Sequence, residues 1–445
     1  MKRILYLAIF STISLVGCGT YTSYQREATD QLTDDLYAYI DASSQSSSLA
    51  SLSWRELFTD PYLCSLIEHA LECNTDLRSA QLSVEQAQLT LSTARKAFLP
   101  SLGASAQNTL ASTGSSSANA YSVAVTAGWE VDIFGKLRNA KLQAAAALEQ
   151  SEAYRQAVQT SLVATIANSY FSLILLDEQL SISEATKENW EANLKMMESM
   201  LRAGRINETS LLQSQASSVE LDSSIVTIKE QIAQLENSIS QLLALPTTTI
   251  ERGTIDSLEL PEQLSVGMPL ELLSSRPDVR VAESYLAQCF YITAEARSSL
   301  YPSITLTGSA ALSGGDMLYT LVGSLVQPIF YSGSLRAQVK ISEKQQEQAL
   351  LAFQQAIVDA GVEVNNALSE CQSAKARMEY SATQVELLEQ AVTKTELLMK
   401  HGVVTSLDVL TAQLSLLQTE LSQASEQFNY AQGVVNLYCA LGGGL

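Results

Sequence analysis

The sequence predicts an α+β membrane protein whose protomer joins four amphipathic β-strands to very long α-helices, arranged in two repeated halves. Three observations predict it. Four segments alternate apolar and polar residues over about ten positions, enough for a tilted strand to cross a bilayer. Two uninterrupted stretches carry small or apolar residues at alternating gaps of three and four, the spacing of helices packed side by side. The same short patterns also recur at an offset of about 200 residues. With only 8 prolines and 20 glycines in 445 residues, few points interrupt these elements.

The chain opens MKRILYLAIFSTISLVGC, with Lys2 and Arg3 ahead of an apolar run from Ile4 to Val16 that is too short to span a bilayer as a mature helix. Residues 1–17 are read as an export signal peptide. Leu15-Val16-Gly17-Cys18 resembles the lipobox of bacterial lipoproteins, which would make Cys18 the diacylated first residue of the mature chain and 18–53 a lipidated N-terminal segment. Gly19 stands where an aspartate would retain such a lipoprotein in the inner membrane, so outer-membrane delivery is implied. The five other cysteines, Cys64, Cys73, Cys289, Cys371 and Cys439, form no C-x-x-C pair. An odd number on predicted helices does not make a disulfide framework, and they are read as buried small side chains.

The formal charge is −20, from 47 acidic and 27 basic residues with no basic block, which argues against nucleic acid as a partner. Such a charge suits solubility, or a negative interior that disfavours anions.

The first repeat, 54–246, opens with helix. Strands follow at about 101–112 and 119–134 around the turn TGSSSA, then a long helix at 136–202 and a helix at 207–244. Tyr121, Val123, Val125, Ala127, Trp129, Val131 and Ile133 alternate with Ser122, Ala124, Thr126, Gly128, Glu130 and Asp132, giving the second strand one apolar and one polar face. A linker over 247–268 leads to the second repeat, 269–445. That repeat contains a helix at 277–299, strands at about 303–313 and 319–330, a long helix at 335–400 and a helix at 406–440. Its last strand alternates less cleanly. Phe98-Leu99-Pro100-Ser101 is echoed by Leu300-Tyr301-Pro302-Ser303, and Leu201-Arg202-Ala203-Gly204 by Met399-Lys400-His401-Gly402. At 1.5 Å per residue each long helix would run about 100 Å, too far for a single globular core. Four strands cannot close a barrel in lipid, so other subunits must complete the wall. Gly128 to Arg138 is where strand hands over to helix: Gly135 permits the bend, and Lys136 and Arg138 suit lipid headgroups.

Together with Trp54-x-x-Leu57-Phe58-x-Asp60-Pro61-x-Leu63, Asn74-x-Asp76-Leu77-x-x-Ala80, the run from Trp129 to Arg138, Arg276-Pro277-Asp278-Val279-Arg280-x-Ala282-Glu283 and Pro328-Ile329-Phe330 followed by Gly333, the chain resembles the trimeric, TolC-like outer-membrane efflux factors, within them the lipoprotein branch typified by OprM. The resemblance spans Trp54 to Leu441. It implies a homotrimer in outer-membrane lipid, with a 12-stranded transmembrane β-barrel continued by a periplasmic α-helical barrel and an equatorial domain that includes the linker. It further implies a passive exit duct for a tripartite efflux or export system, docked to a periplasmic adaptor and an inner-membrane pump. Tyr331 departs from the Asp or Asn common at this junction, which predicts altered local hydrogen bonding in an unchanged fold.

No catalytic constellation is present: only His69 and His401 exist, and H-E-x-x-H, G-x-S-x-G and the phosphate-binding loop are absent. No enzyme, cofactor or metal site is expected. The sharper candidates are the two helix-to-helix turns, where Gly204 and Gly402 follow a basic last turn as helix stops. The resemblance makes these tips the adaptor contact. Thr405-Ser406-Leu407-Asp408 reads as a capping box, which gives Asp408 a structural role. The resemblance also puts Leu407, Asp408 and Thr411 on the segment that closes the periplasmic tip as a gate, and Thr411, where aspartate is common, argues against a two-layer acidic constriction. Glu130 and Asp132 are read as lumen acids, or as partners of Lys136 or Arg138, while Arg276, Asp278 and Arg280 brace the helix that Pro277 opens. Two other readings remain at this point: a coiled-coil envelope lipoprotein without a pore, and a conduit dedicated to type I protein secretion.

Overall fold

The computed structural model describes residues 23–25, 53–114, 116–254, 276–313 and 316–443. The signal peptide, Cys18, most of the 18–53 segment, linker residues 255–268 and the first residues of the second repeat lie outside these.

Both halves follow one plan. The first contains α1 (Trp54–Leu57), α2 (Pro61–Cys73), α3 (Thr75–Lys96), β1 (Ser101–Thr113), β2 (Ser116–Val131), α4 (Lys136–Arg202) and α5 (Glu208–Leu242). The second contains α6 (Pro277–Ser298), β3 (Ser303–Ser313), β4 (Asp316–Val326), α7 (Ser334–Lys400) and α8 (Ser406–Ala440). Equivalent helices match in length: 22 residues for α3 and α6, 67 for α4 and α7, 35 for α5 and α8. The repeat seen in the sequence is therefore a repeat of structure.

One compact unit is formed by residues 80–155 and 277–357 with 23–25. Its sheet has the order β1-β2-β3-β4, antiparallel throughout, and both β1 and β4 are open edges. Register defines two faces. Ala104, Val125, Ala310 and Tyr319 align across the sheet on one face, as do Leu102, Ala127, Gly308 and Leu321, so that face is apolar from edge to edge. Leu102, Val123, Trp129, Leu306, Leu321 and Leu325 all lie on it and are exposed. The other face carries Ser101, Ser105, Thr126, Thr305 and Ser309 with the small Ala124 and Ala311, and gains large apolar side chains on β4 at Leu318, Val322 and Val326. This is the less clean alternation noted in the sequence.

Two strands begin and end three or four residues earlier than expected, β2 at Ser116–Val131 and β4 at Asp316–Val326. The strand read at 119–134 ends at Val131, because Asp132 leaves it to accept the Arg138 amide hydrogen at 2.8 Å. The strand read at 319–330 ends at Val326, just before Gln327 and Pro328: the Gln327 side chain donates to the Leu300 carbonyl at 3.2 Å, and Pro328 has no N–H for a ladder. Both handovers to helix use left-handed backbone, at Gly135 (φ 79°) and at Ser332 and Gly333 (φ 49° and 78°). The Tyr331 side chain is exposed; its carbonyl accepts from the Ser334 amide and hydroxyl at 2.9 and 2.8 Å.

The second unit gathers residues 53–79, 156–254, 276 and 358–443. Its core joins Trp54, Ile67, Ile166, Tyr170, Val434 and Tyr438, all nearly solvent-free. Polar clamps tie irregular segments to it. The Tyr170 hydroxyl donates to Asp60 at 2.5 Å and accepts from the Gly253 amide at 3.0 Å; burial and the Asp60 carboxylate push its phenol far up. Arg252 pairs with Asp177 and, at 2.6 Å, with Glu236. Arg276 reaches Glu363 and the Ala440 carbonyl, each at 2.6 Å, in agreement with the bracing role read for it. Asn74 caps α3 through the Asp76 and Leu77 amides and donates to the Leu242 carbonyl at 3.0 Å. Among the described residues the buried reading of the cysteines holds for Cys289 and Cys371; Cys64 and Cys439 are half-buried, and Cys73 is exposed.

Gly433 of α8 lies so close to α7 that a β-carbon there would stand 2.9 Å from Cys371 Sγ. Gly433→Ala is expected to destabilise the protein by about 1–3 kcal/mol through overpacking. A lower thermal unfolding midpoint would register this, and an unchanged midpoint would contradict such close packing.

Candidate gating site at the helix turns

The turn between α4 and α5 and the turn between α7 and α8 are built alike. Glycine at φ 70° and 72° ends each long helix, a left-handed position where a β-carbon is costly. The Gly402 amide donates to the Met399 carbonyl at 2.9 Å and the Val403 amide to the Leu398 carbonyl at 3.0 Å, while Gly204 and Arg205 donate in the same way to Leu201 and Met200. These paired bonds satisfy carbonyls that a bare helix end would leave open.

The next helices start differently. Asn207 caps α5 by accepting from the Ser210 amide at 2.9 Å. Thr405 and Asp408 form a capping box on α8: the Thr405 amide donates to Asp408 Oδ2 at 2.8 Å, and the Asp408 amide to Thr405 Oγ1 at 3.4 Å. The Thr405 hydroxyl also donates to Asp408 at 2.6 Å. Its structural role as a cap, legible from the four-residue pattern, is thus present in detail.

The first turns of α8 split into two faces. Val409 and Leu410 are buried, lining a small cavity with Trp190, Met197 and Met399. Leu407, Asp408 and Thr411 face solvent together, and Thr411 donates to the Leu407 carbonyl at 2.8 Å. The three residues expected at the gate therefore share one exposed face. Glu396, which accepts from Gln413 at 2.9 Å and from Asn193 at 3.4 Å, is a tie that sequence reasoning missed, since its partners lie on other helices.

In the sheet-bearing unit, Glu130 pairs with Lys136 at 3.1 Å, and Asp132 supplies the α4 start with the acceptor that Gly135 lacks. Glu130 thus forms the ion pair of its second reading, while Asp132 meets Arg138 through the backbone amide. Among the described residues no group of three His, Cys, Asp or Glu could hold a metal ion.

A mainly helical chain whose one described sheet is apolar on a full face and open at both edges is the protomer of an outer-membrane channel. The chain belongs to the outer membrane efflux protein family, whose pattern matches residues 66–245 and 268–443. The pyoverdine export outer membrane protein OpmQ of Pseudomonas putida is 31% identical to it over 422 residues, 90% of each chain. The cation efflux system protein CusC of Escherichia coli is 29% identical over 97% of each. The open-state MtrE outer membrane channel of Neisseria gonorrhoeae matches with a TM-score of 0.84 at 28% identity, covering 91% of this chain and 94% of that one. The protein is accordingly an outer-membrane exit duct of an efflux system, with a large periplasmic helical part. Its relatives are channels and not enzymes, and members of the family form trimers that work with periplasmic adaptors and inner-membrane pumps. The pore-free stalk considered above is set aside.

The hydroxyl and amide of Thr405 hold the Asp408 carboxyl below the usual range. In the unfolded turn that carboxyl has its ordinary value. The stabilisation is therefore complete above the unfolded value and lost as pH falls through the lowered folded one. The protection of the Thr405 and Asp408 amides from hydrogen exchange, relative to the intrinsic rate at each pH, is expected to fall only in acid; a fall already near neutral pH would contradict this cap.

Proposed function

We propose that three copies of this chain join their sheets edge to edge, β4 of one against β1 of the next, into a 12-stranded barrel, and continue as a periplasmic tube of their long helices. The observation that carries this is the sheet: apolar across a whole face, with two unpaired edges that lipid does not tolerate. The duct is passive, since it has no energy source of its own; the pump supplies energy, and the adaptor engages the turns at Gly204 and Gly402. Cys18 carries the acyl anchor. The relatives are named for pyoverdine export and for cation efflux at similar identity, which supports a shared duct whose cargo is chosen by the pump.

Gating falls to Leu407, Asp408 and Thr411. Their common exposed face on α8 supports a constriction in which threefold symmetry gathers three copies of each near the axis. Adaptor contacts draw the hairpins apart, widening that ring. Glu130 and Asp132 sit at the base of the barrel, where the Lys136 pair and the helix start already use their charges.

Purified trimers in planar bilayers are expected to conduct poorly and Asp408→Ala to conduct more. Thr405→Val weakens the cap while keeping the charge, so an equal rise in that variant would assign the effect to a loosened turn and remove Asp408 from the gate. Cys18→Ala is expected to stay in the membrane through an alkaline wash, because the barrel holds it without acyl chains; release into the soluble fraction would end the barrel reading.

A further inference from the structure

Strand register fixes the end of the sheet at which the chain enters and leaves. Ser101 pairs with Gly128, Val131 with Ile304 and Ser303 with Val326, so the ends of α3 and α6 and the starts of α4 and α7 gather there. The chain as a whole is strongly acidic, at −20. Residues 95–141 and 295–343 nevertheless carry eight Lys and Arg against five acids, Glu130, Asp132, Glu295, Asp316 and Glu343, and Asp316 lies at the opposite end of the sheet.

Several of these cations are spoken for. Lys136 pairs with Glu130, Arg297 with Glu343 at 2.8 Å, and Lys141 lies 6.0 Å over the Phe98 ring. The side chains of Arg95, Lys96, Arg336 and Lys340 are exposed and meet no acid or other hydrogen-bonding partner among the described residues. Beside them the apolar face ends in the features of a membrane interface. The Trp129 indole N–H donates to the Phe98 carbonyl at 3.0 Å, and Ile329 and Phe330, just past β4, are 92% and 83% exposed.

The N-terminal segment places this end independently. The Tyr24 amide donates to the Tyr291 hydroxyl at 3.4 Å, and its ring meets Phe290 edge-on at 5.9 Å, both on α6. The six residues from Cys18 to Tyr24 reach at most about 20 Å, and Tyr291 lies about 10 Å along α6 from Ser298, where the helix ends. Acyl chains on Cys18 therefore enter the bilayer within reach of the same end of the sheet, which puts that end at the periplasm-facing leaflet.

We propose that Arg95, Lys96, Arg336 and Lys340 form a collar at this end of each protomer that binds the phosphates of anionic phospholipid headgroups in the periplasm-facing leaflet. The proposal rests on the barrel reading above. The phospholipid supplies the negative partner that the chain withholds from these four cations, and its tails continue along the apolar face beside Trp129.

The test places the full chain in phosphatidylcholine nanodiscs containing about one-quarter phosphatidylglycerol and counts lipids retained per trimer by native mass spectrometry. Arg95→Gln/Lys96→Gln and Arg336→Gln/Lys340→Gln are each expected to retain phosphatidylglycerol at least about fivefold more weakly than the parent. Lys375→Gln/Lys394→Gln, two exposed cations of α7 beyond the sheet-bearing unit, removes the same charge and is expected to change nothing. Intact trimers in which collar and control variants bind alike would overturn the collar and leave the barrel standing. A parent chain that is monomeric in the nanodisc would overturn the barrel and the collar with it.

Discussion

The constraint on which the rest depends is the open sheet. β1 and β4 each leave one side of their backbone unpaired, over 13 and 11 residues, and in hydrocarbon every unpaired group costs several kcal/mol. Water would satisfy those groups, but the apolar face formed by Leu102, Val125, Leu306 and Leu321 belongs in lipid. One requirement excludes solvent and the other excludes an edge, so only other sheets of the same kind meet both. A chain with such a sheet is complete only as part of an assembly, and the family to which it belongs assembles in that way.

The helices answer a related problem. A helix of 67 residues has no single core to enter, so its buried positions form a row. On α7 the row runs through Ala349, Phe353, Ile357, Ala360, Val364, Ala367, Cys371 and Ala374, gaps of three and four that hold one face against its neighbours. Most are small, which allows close approach; Gly433 opposite Cys371 is the extreme case. Where strand meets helix the chain must turn without losing hydrogen bonds. Asp132 resolves this on one side, reaching across Gly135 to the amide of Arg138, since glycine can turn the backbone but has no side chain with which to cap.

What was legible in the sequence was what repeats locally. Alternation marked the strands, gaps of three and four the long helices, and a fixed offset the two halves. The Thr405–Asp408 box and the stops at Gly204 and Gly402 were legible because capping is settled within a few residues. Boundaries were less so. Alternation in residue type continues through Ile133, although the backbone has left the ladder after Val131, since periodicity records which way side chains point and not where hydrogen bonding ends. The buried row of α7 passes through Ile357 and Ser381 and not through their neighbours Ala356 and Ala382, a choice between adjacent positions that only tertiary packing makes. Arg252 with Asp177 and Glu236, or Tyr170 with Asp60 and Gly253, left no local mark: their partners are far apart in the chain, and nothing near either residue announces the other.

The capping box also bears on how a tip of this kind can close. The amide and hydroxyl of Thr405 occupy the Asp408 carboxylate and keep it ionised. If three copies face one axis, none of these carboxylates can rotate away without uncapping a helix. Water and counterions screen their charge, and the closed ring draws further support from apolar packing. The nearest source within each protomer is Val409 and Leu410, buried beside Trp190 and Met399 on the opposite side of the same helical turns. Closure would then be held by apolar packing behind a charged front, and a partner able to shift that packing would need no chemistry to open the way.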